Sequence, residues 1–203
     1  IFGIPEAQEV FIRFAVMIDP QTTVVFVCDI QASFKPVIHC MDHVIHGAKM
    51  LKKGAEIFGI PVVVTEQYPS RLGATVEELE VKEGEAIAKT QFSMLTPEVL
   101  QKLEGMAKRK HVLVCGVEAH VCVQQTVLGL VQRGYTVTLV VDAISSRFVI
   151  DRSVAIQTCR DHGAKVGTAE SILFGMLGGK DHESFKAISA LVKEARPEQQ
   201  LTL

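Results

Sequence analysis

The sequence lacks the patterns that mark several large classes of protein. No apolar run approaches the roughly 20 residues that a membrane-spanning helix needs, so we expect no membrane association. The net charge of −2 over 203 residues provides no attraction to a polyanion, which argues against nucleic acid as a partner. Neither of the glycine-rich patterns that bind dinucleotides or nucleoside triphosphates occurs, and we expect no cofactor.

Cysteine is scarce, and its spacing is not that of a disulfide framework. The five cysteines form neither a CxxC pair nor a metal-binding pattern. Cys28, Cys115 and Cys159 lie in apolar segments, where cysteine is usually a small buried side chain. This usage favours a reducing compartment, so we expect an intracellular protein.

The chain is predicted to form one domain with short extensions. A hydrophobic content of 48% supports a full core, and there is no internal repeat, low-complexity tract or linker. We assign residues 19–195 to this domain, residues 196–203 to a polar tail and residues 1–18 to an N-terminal arm of unknown role. The arm contains Glu6 and Glu9, which argues against a transit peptide and favours the cytoplasm over mitochondria.

Short runs of β-branched and apolar residues alternate with segments of helical periodicity along the chain. The strands are predicted at 23–29, 61–67, 85–88, 112–115, 135–142 and 164–167. The helices are predicted at 37–58, from 97, up to 134, and at 148–162, 171–177 and 184–193. This alternation is typical of a three-layer α/β/α protein with a mainly parallel sheet of about six strands.

One stretch combines this pattern with a candidate nucleophile. Residues 111–134 read HVLVCGVEAHVCVQQTVLGLVQRG, which predicts a buried strand, a tight turn and a helix. Cys122 falls in the first turn of that helix, where free backbone N–H groups and the helix dipole stabilise a thiolate. Cys122 is therefore the candidate nucleophile, and the alternative is a small buried side chain without chemistry.

Two charged residues follow other predicted strands. Asp29 ends the run TVVFVCD, and Lys89 follows the run at 85–88. Carboxyl ends of parallel strands share one edge of a sheet, so we expect both residues to converge on Cys122. Asp29 can then take the thiol proton, while Lys89 keeps Asp29 ionised and stabilises negative charge on a tetrahedral centre. The alternatives are a turn-capping role for Asp29 and a solvated surface charge at Lys89.

Histidines are weaker candidates. His39, His43 and His46 are predicted on one helix at spacings that suit a metal, but no acidic partner is evident and a solvated face is favoured. His120 lies in the turn before Cys122, where it is a candidate substrate contact or accessory acid, or simply a surface residue.

Three segments carry a resemblance to a known family. VVFVCDIQASF, AKTQFSM and VLVCGVEAHVCVQQT resemble the isochorismatase-like cysteine hydrolase superfamily, over about residues 22–193. The resemblance implies a Rossmann-like isochorismatase hydrolase fold in which Asp29 is the base, Lys89 its electrostatic partner and Cys122 the nucleophile. It also implies a cis peptide bond between Val117 and Glu118.

A fourth segment narrows the subgroup. TEQYPSRLGATVEEL resembles the eukaryotic isochorismatase domain-containing proteins, which have no settled substrate. It contains neither Asp nor His, the residues with which nicotinamidases of the superfamily bind their metal, so the resemblance implies a site without metal. Members are commonly oligomeric, and we expect a homo-oligomer.

The predicted function is a metal-independent cysteine hydrolase that cleaves an amide, ester or related bond in a small molecule through a covalent Cys122 intermediate. We expect the substrate pocket to be lined by Phe34 in the loop after Asp29, by Gln67 and Tyr68, and by residues near His120. The turn at Val117, Glu118, Ala119 and His120 is expected to supply substrate contacts and oxyanion donors.

Two other interpretations remain open at the level of sequence. The chain can be a catalytically idle family member that acts as a binding or scaffold protein, although an idle site has no need of Asp29, Lys89 and Cys122 together. Cys122 can also be a redox-sensing thiol, although no resolving partner is evident because no CxxC occurs.

Overall fold

The computed structural model of the protein describes residues 18–198 and residue 201, so residues 1–17 of the predicted arm lie outside it. Six strands form one sheet: β1 Thr23–Cys28, β2 Val62–Gln67, β3 Ile87–Lys89, β4 His111–Val117, β5 Thr136–Ser145 and β6 Lys165–Gly167. Their order is β3-β2-β1-β4-β5-β6, and every neighbouring pair is parallel. The predicted parallel sheet is confirmed.

Helices cover both faces of the sheet. They are α1 Met41–Ile57, α2 Pro69–Leu72, α3 Pro97–Gly105, α4 Gln124–Gln132, α5 Val149–Asp161, α6 Ala169–Leu177 and α7 Phe185–Leu191. One core cluster packs α1, α6 and α7 against one face, and a second packs α3, α4 and α5 against the other. Alternate residues of β1 enter opposite clusters, which explains why its sequence is continuously apolar. The three-layer α/β/α architecture is therefore confirmed.

The strand order places a crevice between β1 and β4. The chain moves outward through β2 and β3 on one side of β1, then returns to build β4, β5 and β6 on the other side. In open parallel sheets, ligands bind beyond the carboxyl ends of the strands where the order reverses in this way.

None of the helices in the described ranges combines the length and the apolarity required to span a bilayer.

The first helix starts later than its sequence pattern predicts. It begins at Met41 rather than at residue 37, because Cys40 has a left-handed backbone (φ 52°, ψ 42°) that cannot continue a helix. His39 therefore precedes the helix, and its N–H donates to the carbonyl oxygen of Ser146 at 3.0 Å. The prediction that three histidines share this helix is wrong for His39.

His111 makes the stability of the fold sensitive to acid. It opens β4 with 6% of its surface exposed, and its Nε2 lies 2.8 Å from Oγ1 of Thr138. Burial lowers the pKa of His111 from 6.5 to about 4. Between these two values the unfolded chain binds more protons at this residue than the folded one, so folding stability falls as the pH falls from 6.5 towards 4.

We expect this one histidine to remove about 2 kcal/mol from the free energy of unfolding between pH 7.5 and pH 5. Urea unfolding of the wild type and of His111→Gln at both pH values measures the contribution of His111 to the loss of stability. Glutamine can still form a hydrogen bond with Thr138 but does not titrate. An equal loss of stability in the two proteins would contradict the assignment.

Candidate active site

Asp29 follows β1 directly and is almost completely buried. Its backbone is left-handed (φ 55°), and its N–H donates to the carbonyl oxygen of Thr65 at 3.2 Å. The carboxylate accepts the Thr65 hydroxyl on Oδ1 at 2.7 Å, and the Lys89 ammonium on Oδ2 at 2.7 Å. The Cys28 thiol lies 3.5 Å from the same Oδ2. Both carboxylate oxygens are thus oriented by specific donors.

Lys89 ends β3, two strands away from β1, and its side chain reaches back across the sheet edge. The side chains of Lys89 and Asp29 are 0% and 1% exposed. The ammonium also donates to Gln67 Oε1 at 2.7 Å, to the carbonyl of Phe92 at 2.9 Å and to that of Gln91 at 3.2 Å. A charge this deeply buried is stable only when it is paired and fully hydrogen-bonded, and the cluster supplies both.

Cys122 stands on the other side of the crevice, beyond β4. The pairing of β4 with β5 is irregular between Val114 and Gly116, and at Gly116 φ is 145° and a Cβ would overlap the carbonyl oxygen of Cys28. A π-helical turn, Ala119–Val123, then leads into α4. Cys122 lies in this turn, ahead of the first turn of α4 in which it was predicted, and is buried.

The expected cis peptide bond between Val117 and Glu118 is not found. The described residues contain no cis peptide, so this bond is trans. The chain turns instead through the left-handed backbone of Glu118 (φ 52°, ψ 61°), two residues after the positive φ of Gly116. These two backbone conformations redirect the chain from β4 into the helical turn while the Val117–Glu118 bond stays trans.

Cys28 links the two sides of the crevice. Burial, its hydrogen bond with Cys122 and the negative charge of Asp29 raise the pKa of the Cys28 thiol well above its usual value. Cys28 therefore stays protonated, in contact with both Asp29 and Cys122. The structure places Asp29 and Lys89 in direct contact, and it brings Cys122 into the same cluster through Cys28.

Two threonines that belong to this cluster have only a faint signal in the sequence. Thr65 orients Asp29, and it appears in the sequence as one polar residue inside the apolar run at 62–65. Thr126 donates to the carbonyl of Cys122 at 2.7 Å and accepts the N–H of Met94 at 2.9 Å, which fixes the turn that carries Cys122. A hydroxyl within a buried apolar segment is the pattern that could have identified both.

A cavity of about 450 Å³ opens beside Cys122. Its wall is formed by Phe34, Gln67, Tyr68, Arg71, Leu72, Phe92, Glu118, Val121, Cys122 and Arg147. Four residues expected to line a pocket are in this wall, and the two arginines, Leu72, Phe92 and Val121 join them without having been predicted. Val117 and Ala119 are buried and do not belong to this wall.

The rim of the cavity carries a small charged network. Arg147 Nε lies 3.0 Å from Glu118 Oε1, and His120 Nδ1 lies 3.5 Å from Glu118 Oε2. The same His120 nitrogen is 3.0 Å from Oγ of Ser146, so the imidazole is turned towards the end of β5 and lies outside the cavity wall.

Over the described ranges, no group of three or more His, Cys, Asp or Glu side chains is arranged to hold a metal ion.

Comparison with known proteins agrees with this geometry. The family profile of the isochorismatase domain matches residues 16–171. The chain belongs to the isochorismatase family. Isochorismatase domain-containing protein 1 of Salmo salar is 43% identical over 183 residues, which are 90% of this chain and 65% of that protein. The chain thus spans less than two thirds of this relative's length, and the resemblance to the eukaryotic subgroup is confirmed.

Two solved structures share the fold of this chain. The MAR1 ribonuclease of Caenorhabditis elegans superposes with a TM-score of 0.85 at 39% identity, over 92% of this chain and 97% of that one. YcaC of Escherichia coli, described as an octameric hydrolase of unknown specificity, has a TM-score of 0.80 at 20% identity, over 88% and 90% of the two chains. At that identity the second comparison concerns the fold alone.

Proposed function

We propose that this isochorismatase-family chain is a cysteine hydrolase that cleaves an amide, ester or related bond in a small molecule. The observation that carries the proposal is the buried Asp29–Lys89 ion pair (2.7 Å) joined through Cys28 to Cys122, at the wall of the cavity. A carboxyl group in the same cluster as a thiol, next to a space for a substrate, is the arrangement that covalent catalysis requires. None of the proposed steps needs a metal ion.

Acylation begins with transfer of the Cys122 proton to Asp29 and attack of the thiolate on the substrate carbonyl. The first N–H groups of a helix have no acceptor within it, so we assign those that open the π-helical turn before Cys122, at Ala119 and His120, as donors to the developing oxyanion. Collapse of the tetrahedral centre breaks the bond to the leaving group, which takes the proton from Asp29. The ammonium of Lys89, 2.7 Å from Oδ2 of Asp29, keeps that carboxyl group oriented during the transfer.

Deacylation repeats the sequence with water. Asp29 accepts a proton from a water molecule, whose oxygen attacks the thioester carbon. The carbon–sulfur bond then breaks, the carboxylic acid leaves, and Cys122 regains its proton. The same carboxylate serves both half-reactions, which is consistent with its two oxygens being held by separate donors, Thr65 and Lys89.

The proposed substrate is a small molecule. The cavity of about 450 Å³ is mostly apolar and fits a compact ligand. The net charge of −2 supports a small molecule over a nucleic acid, and the word ribonuclease is used of the Caenorhabditis elegans relative only.

The proposal also includes a homo-oligomeric assembly and a cytoplasmic location. Phe148, Ile150 and Val154, at the start of α5, are 62%, 67% and 56% exposed, an apolar surface that supports a homo-oligomer. The octameric state described for the YcaC structure supports the same inference. The five cysteines all lie in the described residues, where they are buried and not joined in disulfides, which is consistent with an intracellular, cytoplasmic protein.

Mass spectrometry of the protein with a panel of small amides, carbamates and esters tests the proposed function. We expect an acyl adduct on the peptide that contains Cys122, which disappears as product accumulates, while Cys40 serves as the internal control and stays unmodified. An RNA substrate in the same panel should stay intact. The alternative of an idle binding or scaffold protein predicts no adduct and no product with any compound.

A further inference from the structure

We propose that the substrate carries a carboxylate, which the guanidinium of Arg71 binds at the rim of the cavity, and an apolar body between that carboxylate and the scissile bond. This inference rests on the proposed function, because it names the class of molecule that the cavity beside Cys122 admits.

The charges around the cavity leave one cation uncompensated. Arg147 is paired with Glu118 at 3.0 Å, and Lys89 is paired with Asp29 at 2.7 Å. Arg71 lines the same cavity, and no described acidic side chain lies within ion-pair distance of it. The described wall thus has a net charge near +1, which matches a single carboxylate better than a neutral molecule or a phosphate dianion.

The backbone that carries Arg71 is held unusually firmly for an exposed segment. Helix α2 is four residues long and does not stabilise itself. The buried side chain of Gln31 donates to the carbonyl of Gly73 at 2.6 Å and to that of Gln67 at 3.1 Å, and it accepts the N–H of Gln67 at 2.7 Å. The Ser33 hydroxyl also donates to the carbonyl of Leu72.

These bonds attach α2 to the loop that follows Asp29. The N–H of Tyr68, which precedes α2, also donates to the carbonyl of Lys89 at 2.8 Å. The segment from Tyr68 to Gly73 is therefore tied to both members of the buried ion pair. The position of Arg71 relative to the reacting groups is set in advance, which lowers the entropic cost of binding an anion there.

The remaining wall defines the rest of the substrate. Phe34, Leu72, Phe92 and Val121 add apolar surface to the same cavity wall that holds Arg71 and Cys122. Apolar walls strengthen an arginine–carboxylate pair, whose two N–H donors match the two carboxylate oxygens. The class of substrate is thus a small monocarboxylate with an aliphatic or aromatic body and an amide or ester bond.

Alkylation of Cys122 with two matched probes tests the inference without requiring turnover. The probes are 4-(iodoacetamido)benzoate and 4-(iodoacetamido)benzamide, which differ only in the charge of one end. In both reactions the sulfur of Cys122 forms a bond to carbon, the carbon–iodine bond breaks, and iodide leaves while the thiol proton goes to solvent. The rate with the benzamide normalises for changes in the reactivity of Cys122 or in folding.

We expect the benzoate-to-benzamide rate ratio of Cys122 to exceed that of glutathione by about fivefold at low salt, the upper range for a partly exposed ion pair. Arg71→Gln should return the ratio to the glutathione value, and Arg71→Lys should retain part of the preference. Arg160→Gln is the matched control, because it removes the same charge from the distant end of α5.

A wild-type ratio equal to that of glutathione, or a ratio that Arg71→Gln leaves unchanged, would overturn the inference. Faster labelling by the corresponding arylphosphonate than by the benzoate would overturn the choice of a carboxylate. A retained probe preference in a protein that forms no acyl adduct supports the anion site and counts against the proposed hydrolase function. An acyl adduct on Cys122 without any preference for the benzoate would overturn the anion site and leave the proposed hydrolase function standing.

Discussion

Replacing Cys122 by alanine is expected to lower kcat/KM by about 10⁴-fold or more, because the thioester cannot form without the nucleophile. The fold should survive, since loss of one small buried sulfur costs about 1 kcal/mol at this kind of site. Activity is measured on the substrate identified by the adduct panel, and stability by urea unfolding of the same preparation. Cys159→Ala is the control, because Cys159 is a buried cysteine of α5 far from the cavity.

The outcome separates the proposed roles of the cluster. Full activity in Cys122→Ala would show that another group attacks the substrate. Loss of activity in Cys159→Ala to the same degree would show that buried cysteines matter here for packing rather than for chemistry.

Replacing Lys89 by methionine is expected to destabilise the protein by about 3–5 kcal/mol, because it leaves the buried charge of Asp29 without its partner. The double variant Asp29→Asn with Lys89→Met carries no buried charge and should recover most of this loss. Both proteins should be inactive, since the first disturbs the base and the second removes it. Urea unfolding at neutral pH gives the two free energies.

Stability in the double variant no greater than in Lys89→Met would indicate that the two charges do not compensate each other. Lys186→Met, an exposed lysine on α7, is the matched control and should change stability by less than about 0.5 kcal/mol.

The architecture was largely predictable, because each buried parallel strand is a continuous apolar run. The runs at β1, β2 and β5 are examples, and their order along the chain alternates with helices. The start of α1 was not predictable, since the left-handed conformation of Cys40 depends on the surrounding packing and not on a turn-forming residue.

The site was predictable where it depends on strand ends. Asp29 and Lys89 pair because parallel strands end at the same edge, and this follows from topology alone. The contact between Cys28 and Cys122 joins residues of two neighbouring strand–turn units, and no local spacing encodes it. A redox-sensing role for Cys122 requires a second thiol nearby, and the sequence did not indicate that Cys28 is this neighbour.

The cavity wall was the least predictable part. Arg71 and Arg147 lie in exposed segments without hydrophobic periodicity, so nothing in the sequence separates them from ordinary surface charges. The structure distinguishes them by their ion pairs. Arg147 is paired with Glu118, and Arg71 has no acidic partner among the described residues.

The placement of Lys89 has a consequence for the lifetime of its ion pair with Asp29. Lys89 belongs to β3, a strand of three residues that is paired on one side only, at the edge of the sheet. Edge strands with few hydrogen bonds open locally far more often than a domain unfolds. Each such opening would separate Lys89 from Asp29 while the core stays intact, so the ion pair is expected to break and re-form at a rate set by a three-residue edge strand.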